Sequence, residues 1–160
     1  MARRHGCRAK RFLAMQISND IFFAEVERLL GEGGEVTITI RGNSMQPMLR
    51  DSRDKVVLRR YEGDELQRGD VMLFRYRGGY VLHRVVSING ERIVFAGDGN
   101  YKLYEQATTK DIVARMVAYV KNGRRVECTD KEWLRYSRLW MALPQLLRRV
   151  ILGVKRRIKI

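Results

Sequence analysis

The sequence predicts a mainly β body, a coiled and partly barrel-like sheet, with a short helix ahead of it and amphipathic helices behind. Three observations carry that expectation. Between residues 35 and 128, short runs rich in Val, Ile, Tyr and Phe alternate with turn-forming Gly, Asn and Asp. Asn89-Gly90 and Asn122-Gly123 are two-residue hairpin signals. Apolar residues return to helical spacing only outside that stretch, at 21–30 and again beyond 131.

Four segments follow: a basic arm at 1–15, a short helix within 16–34, the β-rich domain at 35–128 and a basic helical tail at 129–160. With 160 residues and 45% hydrophobic content, one domain can bury its own core. The net charge of +14 is uneven. The first fifteen residues hold five basic and no acidic side chains, residues 131–160 nine basic and one acidic, and the middle eighteen basic against seventeen acidic. The body is thus nearly neutral and any acidic partner meets the tails; without a convincing helix-turn-helix before the body, nucleic acid is not the expected partner.

In chain order, residues 1–14 carry Arg3, Arg4, Arg8, Lys10 and Arg11 without the apolar run of a secretory signal. They read as a disordered arm, a nucleic-acid-attracting tail, or an over-extended start with Met15 as the true first residue. Ser18-Asn19-Asp20 supplies capping residues for a helix at 21–30, which Gly31, Gly33 and Gly34 end. Glu25, Glu27 and Arg28 interrupt it, and about ten residues cannot span a bilayer. The expected location is therefore cytoplasmic or peripheral to a membrane.

Val36, Ile38 and Ile40 alternate with Thr37 and Thr39, the pattern of a half-buried strand at 35–40. Further strands are expected at 55–60, 71–76, 80–88, 92–96, 112–121 and 125–128, with the 71–76 and 80–88 pair joined through Gly78-Gly79. Thr129-Asp130 caps a helix from 131 to about 143, and Pro144 starts or kinks a second. In that tail Leu143, Leu146, Leu147, Val150, Ile151, Val154 and Ile158 form one stripe, with Arg148, Arg149, Lys155, Arg156 and Lys159 largely off it. Such a helix suits an anionic membrane surface. It equally suits a terminal helix packing its stripe on the sheet.

Ser44 lies where the first strand ends, in the bend Gly42-Asn43-Ser44-Met45-Gln46-Pro47, with Met45, Met48 and Leu49 able to fold beneath it. A serine needs a base within hydrogen-bond reach to act as a nucleophile. His83, on a predicted strand, is the candidate base, since His5 lies in the basic arm. Asp98, in a glycine-flanked turn, is the candidate orienting carboxylate. Taken singly, these would be a turn serine, a strand histidine and a turn carboxylate; together they compose a nucleophile, base and orienter. Arg84, Asn100, Met45 and Pro47 read as structural or substrate contacts, the last two beside the serine itself. Cys7 and Cys128 have no metal-ligand spacing and lie in no active-site turn, so neither metal nor cofactor is implied and a reducing compartment is expected.

Four blocks in this order resemble the signal peptidase superfamily, which includes the self-cleaving LexA-type repressors. Gly42-Asn43-Ser44-Met45-Gln46-Pro47-Met48-Leu49 is similar to the nucleophile block, and Leu66-Gln67-Arg68-Gly69-Asp70-Val71-Met72-Leu73-Phe74 to the structural Gly-Asp strand. Val81-Leu82-His83-Arg84-Val85-Val86 is similar to the general-base block, and Gly97-Asp98-Gly99-Asn100 to the closing Gly-Asp-Asn block, here with Gly99 before the asparagine. Histidine rather than lysine at position 83 matches the Ser/His branch of that superfamily. The resemblance spans roughly residues 35–120. It implies a signal-peptidase-like fold and a serine endopeptidase without the N-terminal membrane anchor, acting on an extended precursor or leader peptide through an acyl-enzyme. Catalysis would fall to Ser44, His83 and Asp98, with the Ser44 backbone N–H in the oxyanion hole. Two other classes remain open: a LexA-like self-cleaving or DNA-linked regulator, and a catalytically silent protein that binds a membrane surface.

Overall fold

The computed structural model describes residues 19–100 and 102–158; the basic arm expected at 1–15 lies outside them. The elements are α1 (Asn19–Gly31), β1 (Glu35–Thr39), β2 (Lys55–Arg60), β3 (Val71–Tyr76), β4 (Gly79–Asn89), β5 (Arg92–Ala96), β6 (Glu105–Thr108), β7 (Ile112–Lys121), β8 (Arg124–Glu127), α2 (Lys131–Ala142) and α3 (Gln145–Ile158). Among the described residues the fold is mainly β, with one helix before an open antiparallel sheet and two after it. Strand order is β1-β2-β7-β3-β4-β5-β6, with β8 paired to β7. β1 and β6 are the ends of that path.

The sheet is buried on both faces at its centre, and the period of two sorts one strand into two cores. In β3, Val71 and Leu73 join Val26, Leu30, Leu49, Val56, Leu58, Met116 and Trp133. Met72 and Phe74 join Val85, Ile93, Phe95 and Ala107 on the other side. The Phe74 and Phe95 rings stack with centroids 4.1 Å apart.

Turn chemistry fixes the registers. Asn122 and Gly123 both have positive φ, 51° and 77°, as a two-residue turn matched to strand twist requires. The turn between β3 and β4 is Arg77-Gly78, one residue earlier than the glycine pair suggests, because Tyr76 pairs with Gly79 and leaves two residues to turn. One strand, β6, had no signal of its own in the sequence. Glu105-Gln106-Ala107-Thr108 is short and not alternating, and becomes a strand by pairing along residues 92–95 of β5.

Helix α1 packs Val26 and Leu30 into the first core and stacks Phe23 on Tyr80 of β4 at 4.5 Å. Its Glu27 accepts hydrogen bonds from the Tyr80 hydroxyl and the Arg75 guanidinium. Burial works against the Glu27 carboxylate, but those bonds outweigh it and hold its carboxyl below the usual range. A carboxyl whose folded pKa is depressed adds stability above its unfolded value, 4.5, and that stability is lost as pH falls through the folded value. Urea unfolding at about pH 6 and about pH 4 should therefore show a smaller acid-induced loss for Glu27→Gln than for the parent chain. Equal losses would mean that Glu27 does not hold α1 in place.

After the sheet, α2 buries Trp133, Ser137 and Trp140. α3 behaves otherwise. It buries Leu152 and half-buries Arg148, Leu147, Val150 and Val154 are about half exposed, and Leu146 is 69% exposed. Leu146, Leu147, Val150 and Val154 of the stripe thus face away from the body, because the helix turns the side bearing Leu152 inward. Among the described residues no helix is long and apolar enough to cross a membrane.

Candidate active site

The serine turn is held at several points. Past β1, the Ile40 N–H donates to the Asp54 carbonyl at 2.9 Å, and the Ile40 carbonyl accepts from the Ser52 N–H at 2.8 Å. Gly42 takes a φ of +85°, open to glycine, while its N–H donates to Asp51 Oδ1 at 2.8 Å. Met45, Met48 and Leu49 are buried beneath the turn, and Pro47, also buried, follows a cis peptide bond. Ser44 is left half-exposed on a rim that the core anchors.

Adjacent residues of β4 point to opposite faces, so His83 and Arg84 meet different carboxylates. The His83 Nδ1 lies 2.8 Å from Glu105 Oε2, with the two side chains only 6% and 13% exposed. Arg84 makes a bidentate pair with Asp98, Nε to Oδ1 at 2.8 Å and Nη2 to Oδ2 at 2.7 Å. The same guanidinium donates to the Gly69 carbonyl and to Ser137 Oγ, both at 2.8 Å, and lies over the Trp133 ring. Tyr136 also donates to Asp98. Burial works against the Arg84 charge, yet the attraction of Asp98 outweighs it and raises its pKa.

Asp98 is therefore not the partner of His83, which corrects the expected triad. Its carboxylate is occupied on the face where Arg84 emerges, whereas the imidazole meets Glu105. Glu105 was missed because β6 is formed by pairing rather than announced by periodicity.

The turn bearing Asp98 nonetheless shapes the site through its glycines. A Cβ on Gly97 would stand 2.4 Å from the Ser44 carbonyl oxygen and 2.9 Å from His83 Nε2. One on Gly99 would stand 2.4 Å from the Asn43 carbonyl oxygen. The Gly99 N–H donates to the Ser44 carbonyl at 2.7 Å, and Asn100 closes the turn by donating to the Gly97 carbonyl at 2.9 Å. Gly97 thus lies against both the serine turn and the Nε2 edge of the imidazole. Gly99 is required by close backbone approach.

Ser44, Met45, His83 and Glu105 line one cleft of about 360 Å³, with Ile38, Ile40, Leu73 and Leu82 as apolar wall and Phe23 and Tyr80 on one side. A hydroxyl, an imidazole whose second nitrogen is engaged by a carboxylate, and an apolar wall are the components of nucleophilic acyl transfer. Cys128 offers no competing nucleophile: burial pushes its thiol up to about 12, far from the thiolate form at neutral pH. Among the described residues no cluster of His, Cys, Asp or Glu is placed to hold a metal ion. No family model matches the chain, and no curated protein matches it either.

Proposed function

We propose that this chain is a serine endopeptidase of signal-peptidase type, in the Ser/His branch, with Glu105 in the orienting role. The observation that carries the reading is that Ser44 and His83 open into one cleft while Glu105 holds the distal nitrogen of the imidazole. The four ordered sequence blocks support it independently, and with them a signal-peptidase-like arrangement of the sheet.

In this mechanism His83 Nε2 takes the Ser44 hydroxyl proton as Oγ attacks the peptide carbonyl carbon. The Ser44 N–H donates to the developing oxyanion. Collapse of the tetrahedral intermediate breaks the C–N bond, and His83 gives its proton to the departing amine. A water then attacks the acyl ester, His83 accepts its proton, and Ser44 leaves as the regenerated hydroxyl. Glu105 fixes the ring orientation and balances the imidazolium charge.

The substrate is an extended precursor or leader peptide, docked beside β1 as an added strand. Among the described residues β1 ends the sheet path, paired with β2, and Ile38 and Ile40 at that edge line the cleft. The wall accepts an apolar side chain next to the cut. The test is incubation of purified protein with candidate precursors, together with labelling by a serine-directed fluorophosphonate. Ser44→Ala and His83→Ala should each reduce cleavage by about 10⁴-fold or more, with the fold intact. Cleavage retained by either variant ends this mechanism.

A further inference from the structure

An amphipathic helix at a protein surface ordinarily turns its apolar stripe inward. α3 does the reverse: Leu146, Leu147, Val150 and Val154 are 49% to 69% exposed, while Leu152 on the opposite side is buried and Arg148 lies over the Trp140 ring. A second exposed apolar element lies near the start of the helix, reached through a residue on its other side. Gln145 Nε2 donates to the Tyr104 hydroxyl at 3.0 Å, which ties the start of α3 to a loop tip where Leu103 is 62% and Tyr104 45% exposed. Exposed apolar side chains gathered on one surface mark an interaction site.

Charge selects the occupant. Arg149 and Arg157 are exposed beside the stripe, and the sequence has no acidic residue after Glu132. A second copy of the same face would bring like charges together. A layer of anionic headgroups over acyl chains matches both the cationic border and the apolar centre.

We propose that the outward face of α3 and the tip at Leu103 and Tyr104 dock this protein on the surface of an anionic lipid bilayer, without crossing it. Because Glu105 directly follows the tip, docking sets the cleft at the lipid–water boundary, where a membrane-proximal peptide is within reach. The docking itself holds whether or not Ser44 is a nucleophile.

The full chain is sedimented with vesicles of phosphatidylcholine alone and of phosphatidylcholine mixed with phosphatidylglycerol. Binding is expected to the mixed vesicles, weakening as salt rises, and far less to the neutral ones. Leu146→Glu with Val150→Glu, both exposed positions that a folded chain tolerates, should lower partitioning by about tenfold or more. Leu103→Glu should lower it less. Absence of binding to anionic vesicles, or undiminished binding by the α3 double variant, overturns the proposal. So does a dimer in analytical ultracentrifugation that the double variant dissociates, since the face would then belong to a second copy. Unchanged binding by Leu103→Glu removes the tip from the docking surface.

Discussion

Glu105→Gln should lower the rate of peptide cleavage, and of Ser44 labelling, by about 10⁴-fold while leaving the urea midpoint close to that of the parent chain. An amide can accept from one imidazole tautomer and donate to the other, so the ring is no longer held with Nε2 free to take a proton, and the imidazolium loses its counter-charge. That size of loss is what replacing the buried carboxylate of a Ser-His-acid triad by its amide produces in general. The same substitution at Asp98 separates the two candidates, because Asp98 serves Arg84. Asp98→Asn is expected to lower stability while the molecules that remain folded label near the parent rate. If instead Asp98→Asn silences a folded protein and Glu105→Gln does not, the assignment of Glu105 is wrong.

The second large effect concerns Arg84. Removal of one partner from a buried ion pair leaves the other charge without compensation, at about 3–5 kcal/mol. Arg84→Ala should therefore destabilise the fold by that order in urea unfolding, since it strands Asp98, whose side chain is 2% exposed, and withdraws donors from Gly69 and Ser137. It also removes the guanidinium that packs over Trp133, so α2 loses one of its ties to the sheet. Replacing the pair together, Arg84→Met with Asp98→Leu, should recover part of the loss, because no buried charge is then left alone. A single variant as stable as the parent would mean that the pair is not what joins α2 to the Asp98 turn.

Much of the sheet could be read from the chain because the relevant forces are local. β2, β3, β5 and β7 fall at the residues expected of them, each a run of β-formers ended by turn residues. Ser44 stands on its turn because Gly42 admits a positive φ on one side of it and Pro47 restricts the backbone on the other. β6 escaped notice since four residues of mixed character become a strand only through a neighbour. The same gap concealed Glu105 and left Asp98 as the visible carboxylate. Gly99, an extra glycine when viewed in the sequence, has its reason in the 2.4 Å approach that a side chain there would make to Asn43. In the tail, composition identified an amphipathic helix but not which side faced out.

The sequence by itself determined most of the strands and the helices, the Asn122-Gly123 hairpin, the serine turn and the candidate base, since hydrophobic period and local backbone preference act over a few residues. Tertiary structure alone decided which carboxylate meets His83, that Arg84 and Asp98 form an internal brace, and that α3 presents its leucines outward. Those outcomes depend on strand pairing and helix placement between residues far apart in the chain, and no local pattern encodes a choice between two acids lying on opposite faces of one strand.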